Sequence, residues 1–564
     1  MGVYAIPFDV PALSYDESLA MLHSALRFGI VPLLETVQDM LAELRNPDQY
    51  YRSVQIAGTN GKTSTSRYVA ALLAGEGLTV ALYTSPELVH YTERMEIGGR
   101  PVDEDFFALG LSAANTAAQR VNARRLAAGD RPYDVTEFDM LTVAACVAFA
   151  LCGVDVAVFE VGLGGRWDAT SAVTSIESVA ITGIGLDHTR ILGNTLEEIA
   201  AEKAAVVRQD RTCVLGCGTS VTDGVREVIA QRCKEQGVAP WVVREADAEH
   251  AEAADARAST IPHVVRESDA ERAEAAVDAE IAVPQVVREA EAENTVPQVV
   301  RGAVDDGGQG LAPRVVREND AEATTPEHIL KKRLQVGPWT ADVPGFEVPS
   351  NENVTFGIAN RPSHLGDALE LWVRTPNQTY TGIRALKPTY QAQNIACAIA
   401  VAEQFVGHSL ELAAARASIA SCPTPGRFDV VREKPLALVD ACHNPQSVEV
   451  FLRALDDVEP DVRKRPTLVC AMLADKDTQG MAKLLSAAFP RVVVTQTESP
   501  RALAAADLAE LFAACGCEVR AVCETVAEAV ALFEHEPFVA CGSITTAGAV
   551  VGLLRQWASE RMGE

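Results

Sequence analysis

The seven residues Gly58-Thr59-Asn60-Gly61-Lys62-Thr63-Ser64 combine two glycines, a lysine and two adjacent hydroxyls. An apolar run, Val54 to Ala57, precedes them, and Thr65 to Leu73 follows with helical character. A strand, a glycine turn and a helix N-terminus in that order gather backbone N–H groups and the positive end of a helix dipole around an anion. Lys62 adds a point charge suited to β- and γ-phosphates, and Thr63 or Ser64 can offer a hydroxyl to Mg²⁺. Gly58, Thr59, Asn60, Gly61, Lys62, Thr63 and Ser64 are therefore a candidate nucleotide-binding loop. The spacing is shorter than the usual P-loop, whose first glycine would fall at Ile56, so an ordinary turn remains the alternative.

Three more residues carry related chemistry. Thr79 to Tyr83 reads as a strand stopped by Ser85-Pro86. Val154 to Glu160 is another, and Ser178 to Gly185 a third, followed by Asp187-His188. Helices are expected between them, as over Leu141–Leu151, and strands alternating with helices imply a parallel, doubly wound sheet. In such sheets ligands bind outside the carboxyl ends of the strands. Ser85, Glu160 and His188 should thus meet the loop at one edge. A hydroxyl, a carboxylate and an imidazole beside a triphosphate are a donor set for a divalent ion. Glu160 capping the Gly162–Gly165 turn and His188 capping a helix are the structural alternatives.

The chain has 564 residues, 48% of them hydrophobic, enough for at least two domains. Its net charge of −28 argues against a nucleic-acid or anionic-membrane binder. No stretch is long and apolar enough for a membrane span, and Met1 to Pro11 lacks the pattern of a signal peptide. The 13 cysteines are odd in number and scattered; Cys213/Cys217 and Cys515/Cys517 lack zinc-site spacing. Reduced thiols in a cytoplasmic protein are the expectation.

Taken together, Gly58–Ser64, Tyr83-Thr-Ser-Pro86, Phe159-Glu-Val-Gly-Leu-Gly-Gly-Arg-Trp-Asp-Ala169 and Asp187-His188 resemble folylpolyglutamate synthase/dihydrofolate synthase, the folate branch of the Mur-type ATP-dependent amide ligases. Leu22–Ile30, Tyr91–Met95 and Val135–Phe138 are similar to further segments of that family. The resemblance implies an N-terminal P-loop ATPase domain with a mostly parallel sheet and a smaller Rossmann-like α/β domain. It implies ATP and two Mg²⁺ sites, with Ser64, Ser85, Glu160, His188 and Lys203 as ligands and Lys62, Glu160, His188 and Lys203 as the catalytic set. In this family the lysine matching Lys203 can be carbamylated, which would turn a cation into a carboxylate ligand; as an unmodified residue of an amphipathic helix it would be solvated or ion-paired. The implied acceptor is a folate or dihydropteroate, with Asp168 and Phe138 lining a pterin site, and the incoming amine is L-glutamate. A monomer is expected.

The C-terminal motifs continue the likeness. Gln391 and Asn394 match a nucleotide-contacting helix start, though Pro388 and Tyr390 stand where the family has glycine and histidine. Arg427, after the turn Pro423–Gly426, and Asp440 of Asp440-Ala-Cys-His443-Asn-Pro are implied to grip ATP; a linker ion pair and a helix cap are their structural readings. His443 and Ser543 are candidates for the incoming glutamate or the cleft wall. Leu468–Asp477 matches a further strand-and-loop signature. Thr63, where the folate branch often has glycine, with Ala205, Glu87 and Tyr390, departs from the pattern and keeps open a Mur-type ligase with another acceptor. A nucleotide-binding protein without ligase activity is the other alternative.

Between these halves the composition changes. From Trp241 the triplet Val-Val-Arg recurs, its arginines at 244, 266, 288, 301 and 317, and from Arg244 to Glu327 there are 20 acidic against 8 basic residues and no aromatics. Such a segment cannot bury enough surface to fold alone, and the irregular period argues against a solenoid. The expected organisation is an ATP-binding domain over 1–420, interrupted by a disordered acidic insertion at 241–330, and a glutamate-ligase domain over 421–564. A partner-binding repeat is the alternative for the insertion.

Overall fold

The computed structural model describes residues 3–25, 33–246 and 353–563. The insertion beyond Ala246, and the Leu26–Ile30 part of the N-terminal motif, lie outside the described residues.

The first half is built on β1 (Arg52–Ala57), β2 (Val80–Tyr83), β3 (Met95–Ile97), β4 (Arg100–Pro101), β5 (Val156–Glu160), β6 (Ile176–Gly183), β7 (Thr212–Gly218), β8 (Trp241–Glu245), β9 (Asn353–Asn360), β10 (Leu369–Arg374) and β11 (Thr379–Ala385). They form one sheet in the order β11-β10-β9-β8-β7-β6-β1-β5-β2-β3-β4. From β9 to β2 neighbouring strands are parallel; β2–β3, β3–β4, β9–β10 and β10–β11 are antiparallel. Its helices are α1 (Tyr15–Ser24), α2 (Leu34–Glu43), α3 (Lys62–Gly75), α4 (Glu104–Ala127), α5 (Glu137–Leu151), α6 (Thr189–Leu192), α7 (Leu196–Ala204), α8 (Asp223–Gln236), α9 (Gln391–Val406) and α10 (Leu412–Ser421).

Strand periodicity explains the layering. Val54 and Ile56 of β1 point to one face, where they are buried with Tyr68, Val69, Leu72 and Leu73 of α3 and Ile395 and Ile399 of α9. Ala57 faces the other way, into a core shared with Leu141, Val147 and Phe149 of α5 and Phe107 and Leu111 of α4. Each such side chain taken fully out of water contributes about 1.5–3 kcal/mol. A parallel sheet covered on both faces is the result, and it fixes the carboxyl ends of β1, β2, β5 and β6 in one row.

The second half forms a separate six-stranded sheet of β12 (Asp429–Arg432), β13 (Ala437–Val439), β14 (Thr467–Cys470), β15 (Arg491–Val494), β16 (Glu518–Val522) and β17 (Phe538–Cys541), in the order β12-β13-β17-β14-β15-β16. It is flanked by α11 (Pro445–Val458), α12 (Thr478–Ala488), α13 (Ala505–Ala514), α14 (Val526–Ala531) and α15 (Ile544–Gly563). The sheet carries one core on each face. The mixed α/β fold with two sheets agrees with the fold class expected from the sequence.

One boundary needs correction. The composition changes from Trp241, yet Trp241–Glu245 is a strand of the main sheet, with Val242 aligned on Leu215 of β7 and on Asn353 of β9. Val242 and Val243 are buried on opposite faces. They share the Val-Val-Arg triplet with the later repeats, and that shared pattern concealed a β-branched pair with a place in the core.

Candidate active site

The Gly58–Ser64 loop leaves β1 at the row of strand ends and enters α3 at Lys62. Gly61 occupies the left-handed region (φ 84°), and a β-carbon there would stand 2.6 Å from Asn394 Oδ1. Gly58 (φ 150°) lies so close to Thr182 that a β-carbon would meet its Oγ1 at 2.0 Å. Thr182 Oγ1 donates to the Asn60 carbonyl (2.6 Å), and the Thr59 N–H donates to the Gly183 carbonyl (2.8 Å). The loop is therefore held from β6, with its N–H groups left at the head of α3.

Around it one continuous cavity is lined by Gly58 to Ser64, Ser85, Glu160, Asp187, His188 and Lys203 from the first half, and by Tyr390, Asn394, Arg427, Asp440, His443 and Gln446. Glu160 is buried at the end of β5. Its Oε1 accepts from Thr63 Oγ1 (2.8 Å) and its Oε2 from the Ser85 N–H (3.4 Å). It holds the loop rather than capping the Gly162–Gly165 turn. Burial pushes its carboxyl above the usual range, with Lys62, Thr63 and Arg427 opposing. Ser64 turns the other way: it is buried and its Oγ accepts from Gln391 Nε2 (3.2 Å). Thr63 is thus the hydroxyl that faces Glu160.

Lys62 Nζ donates to the Thr59 carbonyl (3.2 Å), and burial lowers its pKa against the pull of Glu160 and Asp187. Lys203, near the end of α7, reaches across to the Gly58 carbonyl (Nζ to O 2.8 Å). Burial, reinforced by the Lys62 charge, lowers its pKa to about 7. His188 opens α6 with φ 50° and no side-chain cap bond, so it does not act as a helix cap. A left-handed non-glycine residue costs about 1–3 kcal/mol. Desolvation pulls its imidazole down to about 4, Asp187 opposing and Lys476 and Lys62 reinforcing.

From the second half, Asp440 is buried after β13. It accepts from the Phe428 and Cys442 N–H groups (both 2.8 Å) and from the Tyr390 hydroxyl (3.3 Å), and burial raises its pKa. It is not a helix cap. Arg427 donates to the Gly426 carbonyl (3.3 Å), and its charge is felt by Lys62, Glu160 and Asp440. Asn394 Nδ2 donates to Gln391 Oε1 (2.9 Å), which leaves Oδ1 at the loop. His443 Nδ1–H donates to the Ala441 carbonyl (2.9 Å), and its Nε2 faces Asp187 at 3.5 Å.

Three sequence candidates stand apart from the cavity lining. Asp168 is buried and accepts from the Leu163 and Thr170 N–H groups and from Thr170 Oγ1. Phe138 packs under Gly162, where a β-carbon would meet its ring at 2.6 Å. Ser543 is buried and accepts from the Thr546 N–H in the first turn of α15, with its hydroxyl against Thr545 and Thr546.

Sequence reasoning gave Asp187, Lys476, Asn444 and Gln446 no role. Asp187 accepts from Lys476 Nζ (2.5 Å) and Asn444 Nδ2 (3.2 Å), and Asn60 Nδ2 donates to Gln446 Oε1 (2.9 Å). Burial opposes ionisation of Asp187, but His443, His188 and Lys476 together hold its carboxyl well below the usual range. These bonds tie the two sheets together at the site. The available signal was position: Asp187 follows β6 and Lys476 follows β14.

The donors suit a magnesium ion. Hydroxyl, carboxylate and neutral imidazole are hard or borderline ligands, and a buried Glu160 drawn toward its neutral form is stabilised as carboxylate by a cation. Among the described residues no group of three His, Cys, Asp or Glu side chains is arranged to hold a metal by itself.

Family models match both halves of the chain. The Mur ligase middle domain matches residues 56–261 and the Mur ligase glutamate ligase domain matches residues 426–536. The chain is 36% identical over 230 residues to the dihydrofolate synthase/folylpolyglutamate synthase of Bacillus subtilis, covering 40% of this chain and 51% of that one. It thus spans about half the length of this relative. It is 29% identical over 508 residues to the Mycobacterium tuberculosis enzyme of the same name, covering 89% of this chain and 82% of the relative. The structure of Mycobacterium tuberculosis folylpolyglutamate synthase complexed with ADP superposes with a TM-score of 0.70 at 24% identity, over 96% of this chain and 98% of that one, and so shares the fold. The chain belongs to the Mur ligase superfamily. Within that superfamily its sequence falls with the folylpolyglutamate synthase/dihydrofolate synthase family. No helix among the described residues is long and apolar enough to cross a membrane.

Proposed function

We propose that this protein is an ATP-dependent ligase that joins L-glutamate to the carboxylate of a folate, and of dihydropteroate, through an acyl phosphate. The observation that carries this reading is the single cleft in which Lys62, Glu160, His188 and Lys203 of one sheet face Arg427, Asp440 and His443 of the other. Relatives named for both activities support the acceptor class, and structures titled with ADP, or with AMPPCP and folate, support the nucleotide.

A carboxylate is unreactive toward amines, so its oxygen first takes the γ-phosphoryl group of ATP as the bond to the β,γ-bridging oxygen breaks and ADP leaves with that electron pair. The glutamate amine then attacks the acyl carbon, loses a proton, and phosphate leaves with its bonding pair. Catalysis of this kind is mostly positioning and charge neutralisation. Lys62 and the loop N–H groups hold the β- and γ-phosphates. Arg427, Asp440 and Asn394 hold the rest of the nucleotide. Thr63, with Ser85, Glu160 and His188 as the wider donor set, would hold Mg²⁺, which supplies positive charge to the phosphates when bound; Ser64, turned toward Gln391, is outside this set. Lys203 is a carbamate in this reading. Carbamylation requires a neutral amine, and burial, which lowers the Lys203 pKa to about 7, favours that form. The added carboxylate would serve a second ion. His443, which lines the cleft, faces the incoming amino acid in this reading. The bonds from Asp187 to Lys476 and Asn444 draw the halves together and exclude water, which protects the acyl phosphate. The protein acts as a cytoplasmic monomer on small molecules.

ADP release with Mg-ATP and L-glutamate tests the proposal, with dihydropteroate, tetrahydrofolate or no acceptor, and product masses read in each case. Gain of one glutamate on dihydropteroate and of one or more on tetrahydrofolate is expected. Acceptor-independent ADP release with no mass gain would refute ligation, and gain only on a different carboxylate would move the protein to another Mur-type substrate.

A further inference from the structure

Lys203 sits in the last turn of α7, where helix carbonyls lack intrahelical partners. Four such carbonyls end this helix, on Ala201, Glu202, Lys203 and Ala204. The last two are met within the chain turn by the Val206 and Val207 N–H groups (3.3 and 2.9 Å). The other two are both met by one residue on a different loop. Arg166 Nη2 donates to the Ala201 carbonyl (3.2 Å), and the Arg166 backbone N–H donates to the Glu202 carbonyl (3.1 Å). Its Nε also donates to Glu202 Oε1 (2.8 Å), a carboxylate only 11% exposed.

The loop around Arg166 is built for this approach. A β-carbon on Gly165 would stand 2.8 Å from Val206 Cγ1, 3.0 Å from the Lys203 carbonyl oxygen and 3.1 Å from that of Glu202. Ser171 Oγ holds the Gly165 carbonyl (2.6 Å). The loop thus lies directly on the turn that carries Lys203, because Gly165 brings no side chain to the contact. Lys203 then spans to Gly58, so any sliding or fraying of this turn displaces its Nζ from the phosphate loop. A planar guanidinium can serve a carbonyl and a carboxylate at once, which a lysine ammonium does not reproduce.

We propose that Arg166 is a positioning residue for Lys203: it caps the end of α7 and fixes Nζ against the phosphate loop. This rests on the role given to Lys203 above. Residues that orient a metal-site ligand in this way cost about 10- to 100-fold when removed. The test is a double-mutant cycle on the full chain, using R166Q, K203A and the double variant. The kcat and KM for ATP are read in the ligation assay, folding is checked by circular dichroism, and ¹³C-bicarbonate labelling reads the lysine carbamate. R166Q should lower kcat about 10- to 100-fold with the KM for ATP unchanged, lower the carbamate signal, and add no further loss in the K203A background. Multiplying losses in the double variant, or wild-type kcat in R166Q, overturn the proposal. Wild-type kcat in K203A instead removes the role of Lys203, and the proposal with it. Should R166Q fail to fold, E202Q replaces it in the cycle, because it breaks the ion pair and leaves both carbonyls capped. A smaller loss that again disappears with K203A is then expected, and a loss that persists there overturns the proposal.

Discussion

Replacing Lys203 with methionine should make the protein more stable and less active. The amine is buried, and its pKa is lowered from 10.5 to about 7. At about 1.4 kcal/mol per pH unit, charging it in the folded state costs about 5 kcal/mol more than in the unfolded chain. The sign follows from proton counts. Between pH 7 and 10.5 the unfolded chain holds this proton and the folded chain does not, so stability rises with pH across that window. Below pH 7 the penalty is paid in full. Methionine fills similar volume without the charge, but it loses the bond to the Gly58 carbonyl, worth about 1 kcal/mol. The net gain should be about 4 kcal/mol at pH 6, narrow steadily above pH 7, and reverse slightly by pH 10.5. Urea unfolding of wild type and Lys203→Met at pH 6, 8 and 10, in buffers stripped of carbon dioxide, measures it. A stability difference that stays constant over this range, or a variant less stable at pH 6, would refute the reasoning.

Asp187→Asn leaves Lys476, 9% exposed, without its carboxylate; breaking a buried pair costs about 3–5 kcal/mol. Because this pair joins the two sheets, kcat/KM should fall about 100-fold or more while circular dichroism stays unchanged, and wild-type turnover would contradict the role of Asp187. Gly548→Ala would set a β-carbon 1.8 Å from the Leu88 carbonyl oxygen, forcing α15 away from the loop after β2. Lower kcat and a lower Tm are expected, and an unchanged Tm would show that this contact is slack. Burial raises the Glu160 pKa, so the acid limb of kcat/KM should lie above pH 4.5; a limb near 4 would assign it to His188 instead.

The parallel strands were legible because each is a short apolar run that stops at a residue with chemistry. Ser85, Glu160 and His188 came to one edge for that reason alone. What the sequence hid was sharing across distance. Asp187 looked like a spacer before His188, yet its carboxylate holds Lys476, 289 positions away. Ser64 and Thr63 were interchangeable on paper, and only the packing of Gln391 against Ser64 and of Glu160 against Thr63 separates them. The helix Glu104–Ala127 was not anticipated because small residues dominate it. Its buried face is largely alanine and glycine, which gives little hydrophobic periodicity while allowing close packing on α5.

The position of the acidic insertion explains why such a sequence is compatible with this fold. β8 and β9 are parallel neighbours, in register from Val242 opposite Asn353 to Glu245 opposite Phe356. A chain leaving the carboxyl end of β8 must return to the other edge of the sheet, which takes a dozen or more residues in any case. Loop closure costs about 0.6 kcal/mol per doubling, so extension from about 12 to about 100 residues costs about 2 kcal/mol. The strands that carry Gly58, Glu160 and Asp187 are separated from β8 by β7. Replacing Asp247–Thr324 with a short glycine-serine linker should therefore leave acceptor-dependent ADP release intact and shift stability by about 2 kcal/mol or less. Loss of turnover in a variant with unchanged unfolding would show instead that the insertion takes part in catalysis.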